Sequence, residues 1–580
     1  MSHEWLLTEL YESYESSAYQ ADFETLRNSY AKLNEIELVD TLPTIKQVVE
    51  LNETIANLSY RLSAYSNLQL STNTTHEPSL TALAKLSKLV SENAKISAKI
   101  NRFLGNIKTD ISQDEHLSQY SFYFEELHQV ASHLLSDEVE EVISTMNLSA
   151  GDAWNQLHSF LTSTVEGTFD DKTVTLSDIR NLAYSDDADV RKRAYETELE
   201  MYQTVKEPVA FAINNIKSQF NDIARLRGYD SAIDITLDAS RMSKATLDAL
   251  MGAIEDALPA FRRYLKHKAS LLGHQNGLPF YDLFAPIGKT ASRKFTVEES
   301  RDYLVDIFSK FSPDLAELTQ EIYDKQYVDM FPRKGKVGGA FCMNLPFLKQ
   351  SRILMNFDGT LRNVVTMAHE LGHAYHGLHI EDHLVLNRSY TMPVAETAST
   401  FNENIVMNTA IAQSNNEEKI ALIESSLQDT TQIIVDIYSR YLFESALFEQ
   451  RKEKFLFSKD LEALMLDAQE KAYGDGLDPE VKHPYMWLCK GHYYYPHLSF
   501  YNFPYAFGGL FSKGLYALYM QEPDGFVEKY QEMLRATTVS TVEETAKKMG
   551  VDVTTKEFWA TALAEYEKEI DAFIELTSEV

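Results

Sequence analysis

The residues best suited to chemistry lie in segment 366–376, which reads TMAHELGHAYH. His369 and His373 are four residues apart, so a helix would place both imidazoles on one face, where they can hold a single Zn²⁺ ion. Glu370 follows the first histidine and is positioned to hold a water bound to that ion rather than the ion itself. The pattern predicts one zinc per chain, with Glu370 as general base. The alternative is a helix whose solvated face happens to carry these residues.

A third ligand is needed, and Glu396 is the better of two candidates. Pro393 suits the first turn of a new helix, and Glu396 and Glu403 are seven residues apart, so they share one face of that helix. Glu396 could complete a site of two histidines and one glutamate, with water in the fourth position. Glu403 could then form a hydrogen bond to a ligand imidazole. The alternative for Glu403 is a solvated or ion-paired surface acid.

The other candidate for the third ligand is His379, ten residues after His369. In a continuing helix His379 would point about 240° away from His373, at about 100° per residue. The glycine that would turn the chain in this class of site is replaced by His376. We therefore expect His379 not to bind the metal, and His376 and His383 to be packing or surface residues.

The spacing of prolines and apolar residues predicts a mainly α-helical protein. No proline occurs between Pro78 and Pro208, and none after Pro523, and these stretches carry apolar residues at helical spacing. Residues 1–110 are expected to form long helices with a break at 71–78. Segment 333–344 is typical of a turn that leads into a short strand, and segment 351–357 of a second strand, so a small sheet is expected in this otherwise helical protein. We expect helical lobes around a single cleft.

The composition excludes several classes of protein. The chain has 580 residues, with 54 Lys and Arg against 86 Asp and Glu, so its formal net charge is −32. Such a polyanion is not expected to bind nucleic acid or an anionic membrane surface. Only two cysteines occur, there is no secretion signal, and no apolar run is long enough to span a bilayer. We therefore expect a soluble cytoplasmic protein.

Several motifs in order along the chain resemble the thimet oligopeptidase family of zinc metallopeptidases, and within it the oligoendopeptidase F branch. The resemblance spans roughly residues 115–575, whereas residues 1–110 match only in helical character. Besides the metal motif, it is carried by a linker, a glycine-rich segment, a third-ligand helix and a tyrosine-rich block: residues 186–194 (DDADVRKRA), 334–342 (KGKVGGAFC), 394–403 (VAETASTFNE) and 498–508 (LSFYNFPYAFG).

This resemblance implies a fold and a set of roles. Two helical lobes should flank a deep substrate cleft, with the metal on its floor and the small β-sheet near the zinc site. It implies that zinc is bound by His369, His373 and Glu396, with Glu370 as general base. The donors that stabilise the transition state should be His492 and Tyr501, although His497 is an alternative to His492.

The resemblance also indicates where a peptide would bind. Tyr505 is expected to contact substrate, unless its ring packs in the core. The segment that contains Gly338, Gly339 and Ala340 could offer a strand edge to the backbone of a peptide. The alternative is that its glycines only form a turn.

The predicted organisation is an N-terminal helical region (1–114), an oligoendopeptidase F-type helical domain (115–198) and a zinc metallopeptidase catalytic domain (199–580). The expected function is hydrolysis of internal bonds in short unfolded peptides. One alternative is a carboxypeptidase or dipeptidyl carboxypeptidase of the same architecture. Another is a non-catalytic helical peptide-binding protein with a structural metal. The sequence does not indicate an oligomeric state.

Overall fold

The computed structural model describes residues 3–288 and 294–578. Within these residues the chain forms 24 α-helices and five short strands, so the prediction of a mainly α-helical protein is confirmed.

The N-terminal region consists of four helices. The break predicted at 71–78 is the turn between the second and third helices, and a proline lies in the first turn of each of these two. Proline is tolerated there because the first amide groups of a helix have no partner within the helix. These helices are α1 (Ser17–Glu35), α2 (Leu42–Thr72), α3 (Glu77–Glu92) and α4 (Ala94–Gly105).

Shorter helices and one hairpin follow, before a helix of 39 residues. The hairpin was not predicted. Its two-residue turn is Asp170–Asp171, with φ angles of 49° and 61°, which is the backbone of a type I′ turn. The elements are α5 (Ser121–Ser132), α6 (Asp137–Asn147), α7 (Gly151–Thr164), β1 (Glu166–Phe169), β2 (Lys172–Thr175), α8 (Leu176–Asn181) and α9 (Ala188–Leu226).

Four further helices lead to the predicted small sheet. They are α10 (Ala232–Ala239), α11 (Lys244–Leu271), α12 (Val297–Ser309) and α13 (Pro313–Asp324). The sheet has the order β3 (Val328–Asp329), β5 (Gln350–Leu354) and β4 (Phe341–Leu345), with β4 antiparallel to β5 and β3 parallel to it. Strand β4 is therefore an edge strand.

The remainder of the chain is helical. A π-helical turn at Gln432–Asp436 interrupts it between two of its long helices. The helices are α14 (Leu361–Ile380), α15 (Met392–Ala395), α16 (Thr397–Gln413), α17 (Asn416–Thr431), α18 (Ile437–Glu453), α19 (Ser458–Tyr473), α20 (Met486–Cys489), α21 (Phe503–Gln521), α22 (Phe526–Ala536), α23 (Val542–Lys547) and α24 (Lys556–Ser578).

The largest buried core joins α11, α14, α16, α21 and α24. Helices α14 and α16 approach closely at Gly372, where a side chain would collide with the carbonyl oxygen of Ala398. The N-terminal helices have their own core, which also takes in Leu345 and Leu354 of the sheet. This packing fixes α14 against both the sheet and α16. None of the helices in the described part of the chain has the length and apolar character needed to cross a membrane.

Candidate metal centre

Helix α14 carries the predicted metal motif. The helix begins after Thr360, whose side chain accepts a hydrogen bond from the amide of Asn363. The helix is largely buried, yet the side chains of His369 and His373 remain 24% and 19% exposed. Both imidazoles therefore reach a surface where an ion and a substrate can enter.

Glu396 meets these two histidines from the junction between α15 and α16. Nε2 of His369 lies 3.2 Å from Nε2 of His373, and each of these atoms lies 3.3 Å from Oε2 of Glu396. Four ligands around zinc at 2.0–2.1 Å would be separated by about 3.3–3.4 Å along each edge of the tetrahedron. The three atoms thus form one face of such a tetrahedron, and the residues fit a zinc ion.

The acids around the site are oriented by hydrogen bonds. Nδ1 of His369 lies 2.6 Å from Oε1 of Glu403, which leaves Nε2 free to bind a metal. The hydroxyl of Ser399 donates to Oε2 of Glu396 over 2.7 Å. The structure thus places Glu403 behind His369, and its role beside a metal ligand stays a prediction.

The electrostatics show how strongly the carboxylates and imidazoles interact. Burial lowers the pKa of His369, but the hydrogen bonds to Glu396 and Glu403 outweigh this effect and raise that pKa to about 10. Burial raises the pKa of Glu396, yet the hydrogen bonds from the two histidines hold it well below its usual range. Metal ligands bind in their deprotonated form, so metal binding at this triangle would be opposed by protons.

Glu370 is buried on α14 beside the first histidine, with only 5% of its surface exposed. Burial raises the pKa of its carboxyl group, and the positive charges of His369 and His373 oppose this shift. On β4, burial raises the pKa of the Cys342 thiol, and the nearby charge of Glu370 raises it further. The charge of Glu370 therefore acts both on the candidate metal ligands and on a thiol of the edge strand.

The tyrosine-rich block, about 100 residues later in the sequence, contacts the segment that leads to Glu396. The hydroxyl of Tyr501 contacts Sδ of Met392, at the start of α15, and lies 3.3 Å from the hydroxyl of Tyr505. The rings of Tyr501 and His492 are 6.4 Å apart. Tyr505 is 40% exposed, so its ring is available to a ligand rather than sealed in the core.

His492 and His497 lie in different surroundings. Among the described residues, Nε2 of His492 has no hydrogen-bond partner, and burial together with the charge of Arg440 lowers its pKa to about 3. Nε2 of His497 instead lies 2.9 Å from Nδ2 of Asn147, and its side chain is 71% exposed. The structure thus brings His492, and not His497, to Tyr501.

A buried ion pair holds the turn that carries Tyr501, and no sequence motif predicts it. Nζ of Lys217 donates to Oε1 of Glu444 over 2.8 Å and to the hydroxyl of Ser499 over 3.1 Å. Nδ2 of Asn502 donates to Oε2 of the same glutamate over 3.0 Å. In the sequence, Glu444 is 227 residues from Lys217 and Ser499 is 282 residues from it, so no local pattern reveals these contacts.

The glycine-rich segment lies just before β4. Gly338 and Gly339 are exposed, and Gly339 has φ +79°, a left-handed conformation that glycine adopts readily. Nδ2 of Asn356 donates to the carbonyl oxygen of Gly339 over 2.8 Å. We predicted a strand edge that includes Gly338, but β4 begins only at Phe341, after Ala340. Binding of a peptide by Gly338, Gly339 and Ala340 stays a prediction.

The remaining histidines of α14 and the loop after it face other parts of the protein. Nε2 of His376 lies 2.8 Å from the hydroxyl of Thr537, and Nδ1 of His383 lies 2.7 Å from the hydroxyl of Thr538. His379 is buried against Tyr375, with ring centroids 4.5 Å apart. Within the described residues, the one group of three or more metal-ligating side chains is His369, His373 and Glu396.

Comparison with known proteins agrees with this geometry. The model of peptidase family M3 matches residues 181–565. The chain therefore belongs to peptidase family M3 and is a metallo-endopeptidase. Within this family it falls in the oligoendopeptidase F branch, since the model described as oligopeptidase F matches residues 106–166. The predicted domain borders at 114/115 and 198/199 stay predictions, and α9 continues through the second of them.

Individual relatives cover almost the whole chain. It is 24% identical to oligopeptidase PepF of Bacillus subtilis over 99% of this chain and 87% of the relative. The fold is similar to that of a provisionally assigned peptidase from Chlamydophila abortus, with a TM-score of 0.88, 20% identity and coverage of 99% and 98% of the two chains. Oligoendopeptidase F from Enterococcus faecium has a TM-score of 0.72 at 20% identity, with coverage of 97% and 98%.

Proposed function

We propose that this protein is a zinc-dependent oligoendopeptidase that hydrolyses internal bonds of short, unfolded peptides. The observation that carries the proposal is the triangle of His369, His373 and Glu396, whose edges of 3.2–3.3 Å match a tetrahedral zinc site. Glu370 lies next to this triangle, and a purely structural site has no need of such a base. We further propose that the protein acts in the cytoplasm, where its two free cysteines, Cys342 and Cys489, would stay reduced.

Glu370 would act as the general base. A zinc ion at this site would supply a Lewis acid and a water whose pKa is lowered to about 7. A carboxylate oxygen of Glu370 would accept the proton of that water and later deliver it to the nitrogen of the leaving amine. Burial raises the pKa of Glu370, which makes the carboxylate a better proton acceptor near neutral pH.

Tyr501 and His492 would act on the other side of the scissile bond. The carbonyl oxygen gains negative charge in the transition state, and donors placed in advance stabilise it. The low pKa of His492 keeps its imidazole neutral, so that one ring nitrogen carries a proton to donate. The ion pair of Lys217 and Glu444 would hold the turn of Tyr501 in place, and Tyr505 would contact substrate.

The proposal predicts that zinc is present and required. Elemental analysis of the purified protein should give one zinc per chain, and a chelator should abolish cleavage of a quenched peptide. Addition of zinc to the stripped protein should restore cleavage. Cleavage that survives complete removal of metal would contradict the proposal.

Removal of the Tyr501 hydroxyl should slow turnover without weakening binding. We expect Tyr501→Phe to lower kcat by about 10²–10³-fold with little change in KM, because the hydrogen bond forms mainly in the transition state. Steady-state kinetics on one peptide would show this. The nearby Tyr495→Phe is the matched control and should stay within a few-fold of the parent. An effect confined to KM would instead assign Tyr501 to substrate binding.

Loss of Glu403 should weaken zinc binding although Glu403 is not a proposed ligand. The carboxylate accepts the hydrogen bond that orients His369, so we expect Glu403→Ala to lower zinc affinity by about 10–100-fold. Competition with a zinc-binding dye would measure the affinity. Glu403→Gln keeps an acceptor oxygen and should lose less. Equal affinities of the parent and Glu403→Ala would remove this role from Glu403.

A further inference from the structure

A cavity of about 570 Å³ opens between α8, α9 and the segment around α20. This volume falls in the usual range of ligand sites in proteins. Charged and polar side chains line much of it, among them Arg180, Glu198, Asp429, His483 and Lys490. None of these residues belongs to the candidate metal centre.

Most of the cationic groups in and around this cavity already have a carboxylate partner. Nε of Arg180 lies 3.3 Å from Oε1 of Glu198. Nε of Arg191 donates to Oδ1 of Asp282 over 2.7 Å, and Arg440, whose charge acts on Lys490, pairs with Asp436 on the π-helical turn. Of the arginine and lysine side chains that line the cavity, one remains without an ion-pair partner among the described residues.

Lys490 is that cation. Within the part of the chain that the structure describes, its ammonium group makes no hydrogen bond and no carboxylate oxygen lies within 4.0 Å of it. Burial, and after it the charge of Arg440, lowers the pKa of Lys490. An unpaired cation in a partly buried site is costly, and it is notable in a chain with a net charge of −32.

Two residues of the lining interact electrostatically with residues of the candidate site. Lys490 is two residues before His492, and its charge helps to lower the pKa of that histidine. On another wall, burial raises the pKa of Asp429 to about 6, and the charge of Glu403 contributes to this increase. A peptide that passes the metal centre could therefore extend into the cavity.

From these contacts we propose that the cavity is a carboxylate subsite, in which Lys490 binds a carboxylate of the peptide substrate with Arg180 nearby. The inference rests on the function proposed above and names the substrate more closely. The carboxylate would come from the C-terminus of the peptide or from an Asp or Glu side chain. A singly charged group suits the site better than a phosphate, because Glu198 and Asp429 also face the cavity and would repel a second negative charge.

Matched peptides would test this subsite and separate the two sources of the carboxylate. One pair has the same sequence with a C-terminal acid or amide, and a second pair has a C-terminal amide and an internal Glu or Gln beyond the cleaved bond. We expect the parent protein to favour the charged member of one pair by about tenfold in kcat/KM, the scale of one hydrogen bond between charged groups. Discrimination in the first pair identifies the C-terminus, and discrimination in the second identifies a side chain.

The ratio of kcat/KM within the favoured pair should fall to near one in Lys490→Met. It should persist in Lys490→Arg, which keeps the charge, and in Lys459→Met, an exposed lysine on α19 that serves as the control. A ratio that persists in Lys490→Met would overturn the subsite. So would a parent protein that shows no preference in either pair, a result that does not depend on the folding of any variant. If the parent cleaves none of the four peptides, the proposed function fails, and the subsite fails with it.

Discussion

Glu370→Gln should retain zinc and lose nearly all turnover. The amide cannot accept a proton from water, yet the three proposed ligands remain in place, with 3.2–3.3 Å between their atoms. We expect kcat to fall by about 10²–10⁴-fold, the usual contribution of a general base. Zinc content by elemental analysis and steady-state kinetics on the same preparation would measure both effects.

The surface variant Glu522→Gln is the matched control, since this glutamate is exposed on the loop after α21. It should keep both zinc and activity. If Glu370→Gln lost its zinc together with its activity, Glu370 would have a structural role and the assignment as general base would be wrong.

Glu396→Ala should do the reverse and fail to hold zinc. The substitution removes one corner of the triangle and leaves two imidazoles, which cannot form the three-ligand site typical of catalytic zinc. We expect the loss of affinity to exceed the 10–100-fold expected for Glu403→Ala, and activity to disappear with the metal. Dialysis against a mild chelator followed by elemental analysis would compare the variants.

His379→Ala is the decisive companion to this variant, because His379 was the competing third ligand. His379 is buried against the ring of Tyr375, so its loss should leave zinc bound. A protein that loses zinc in His379→Ala and keeps it in Glu396→Ala would show that the third ligand was chosen wrongly.

The features of the fold that could be predicted are those with a local cause. Prolines and apolar spacing indicated the helices, and the break between α2 and α3 lies in the predicted segment. The hairpin of β1 and β2 was missed because its turn is Asp170–Asp171 rather than a glycine-containing pair. Strand β3 was missed because two residues are too short to show any alternation.

In the candidate site, too, only the features with a local cause in the sequence could be predicted. The pair His369 and His373 follows from one helical spacing, and the proposed role of Glu396 rests on its place at the start of the next suitable helix. The ion pair of Lys217 and Glu444 joins helices α9 and α18, far apart in sequence, and only the packing of the chain reveals it. The same holds for Lys490, which has no hydrogen-bond or ion-pair partner among the described residues, because that depends on the cavity and not on the sequence around it.

The most direct test of the account is a product map of one peptide of about ten residues, blocked at both ends and incubated with zinc-loaded and with metal-stripped protein. Mass spectrometry would identify every fragment. The account predicts two fragments from cleavage at an internal bond by the zinc-loaded protein, and the intact peptide with the stripped protein. A blocked peptide that stays intact with the zinc-loaded protein, or that is cleaved equally well by the stripped protein, would contradict the assignment as a zinc-dependent oligoendopeptidase.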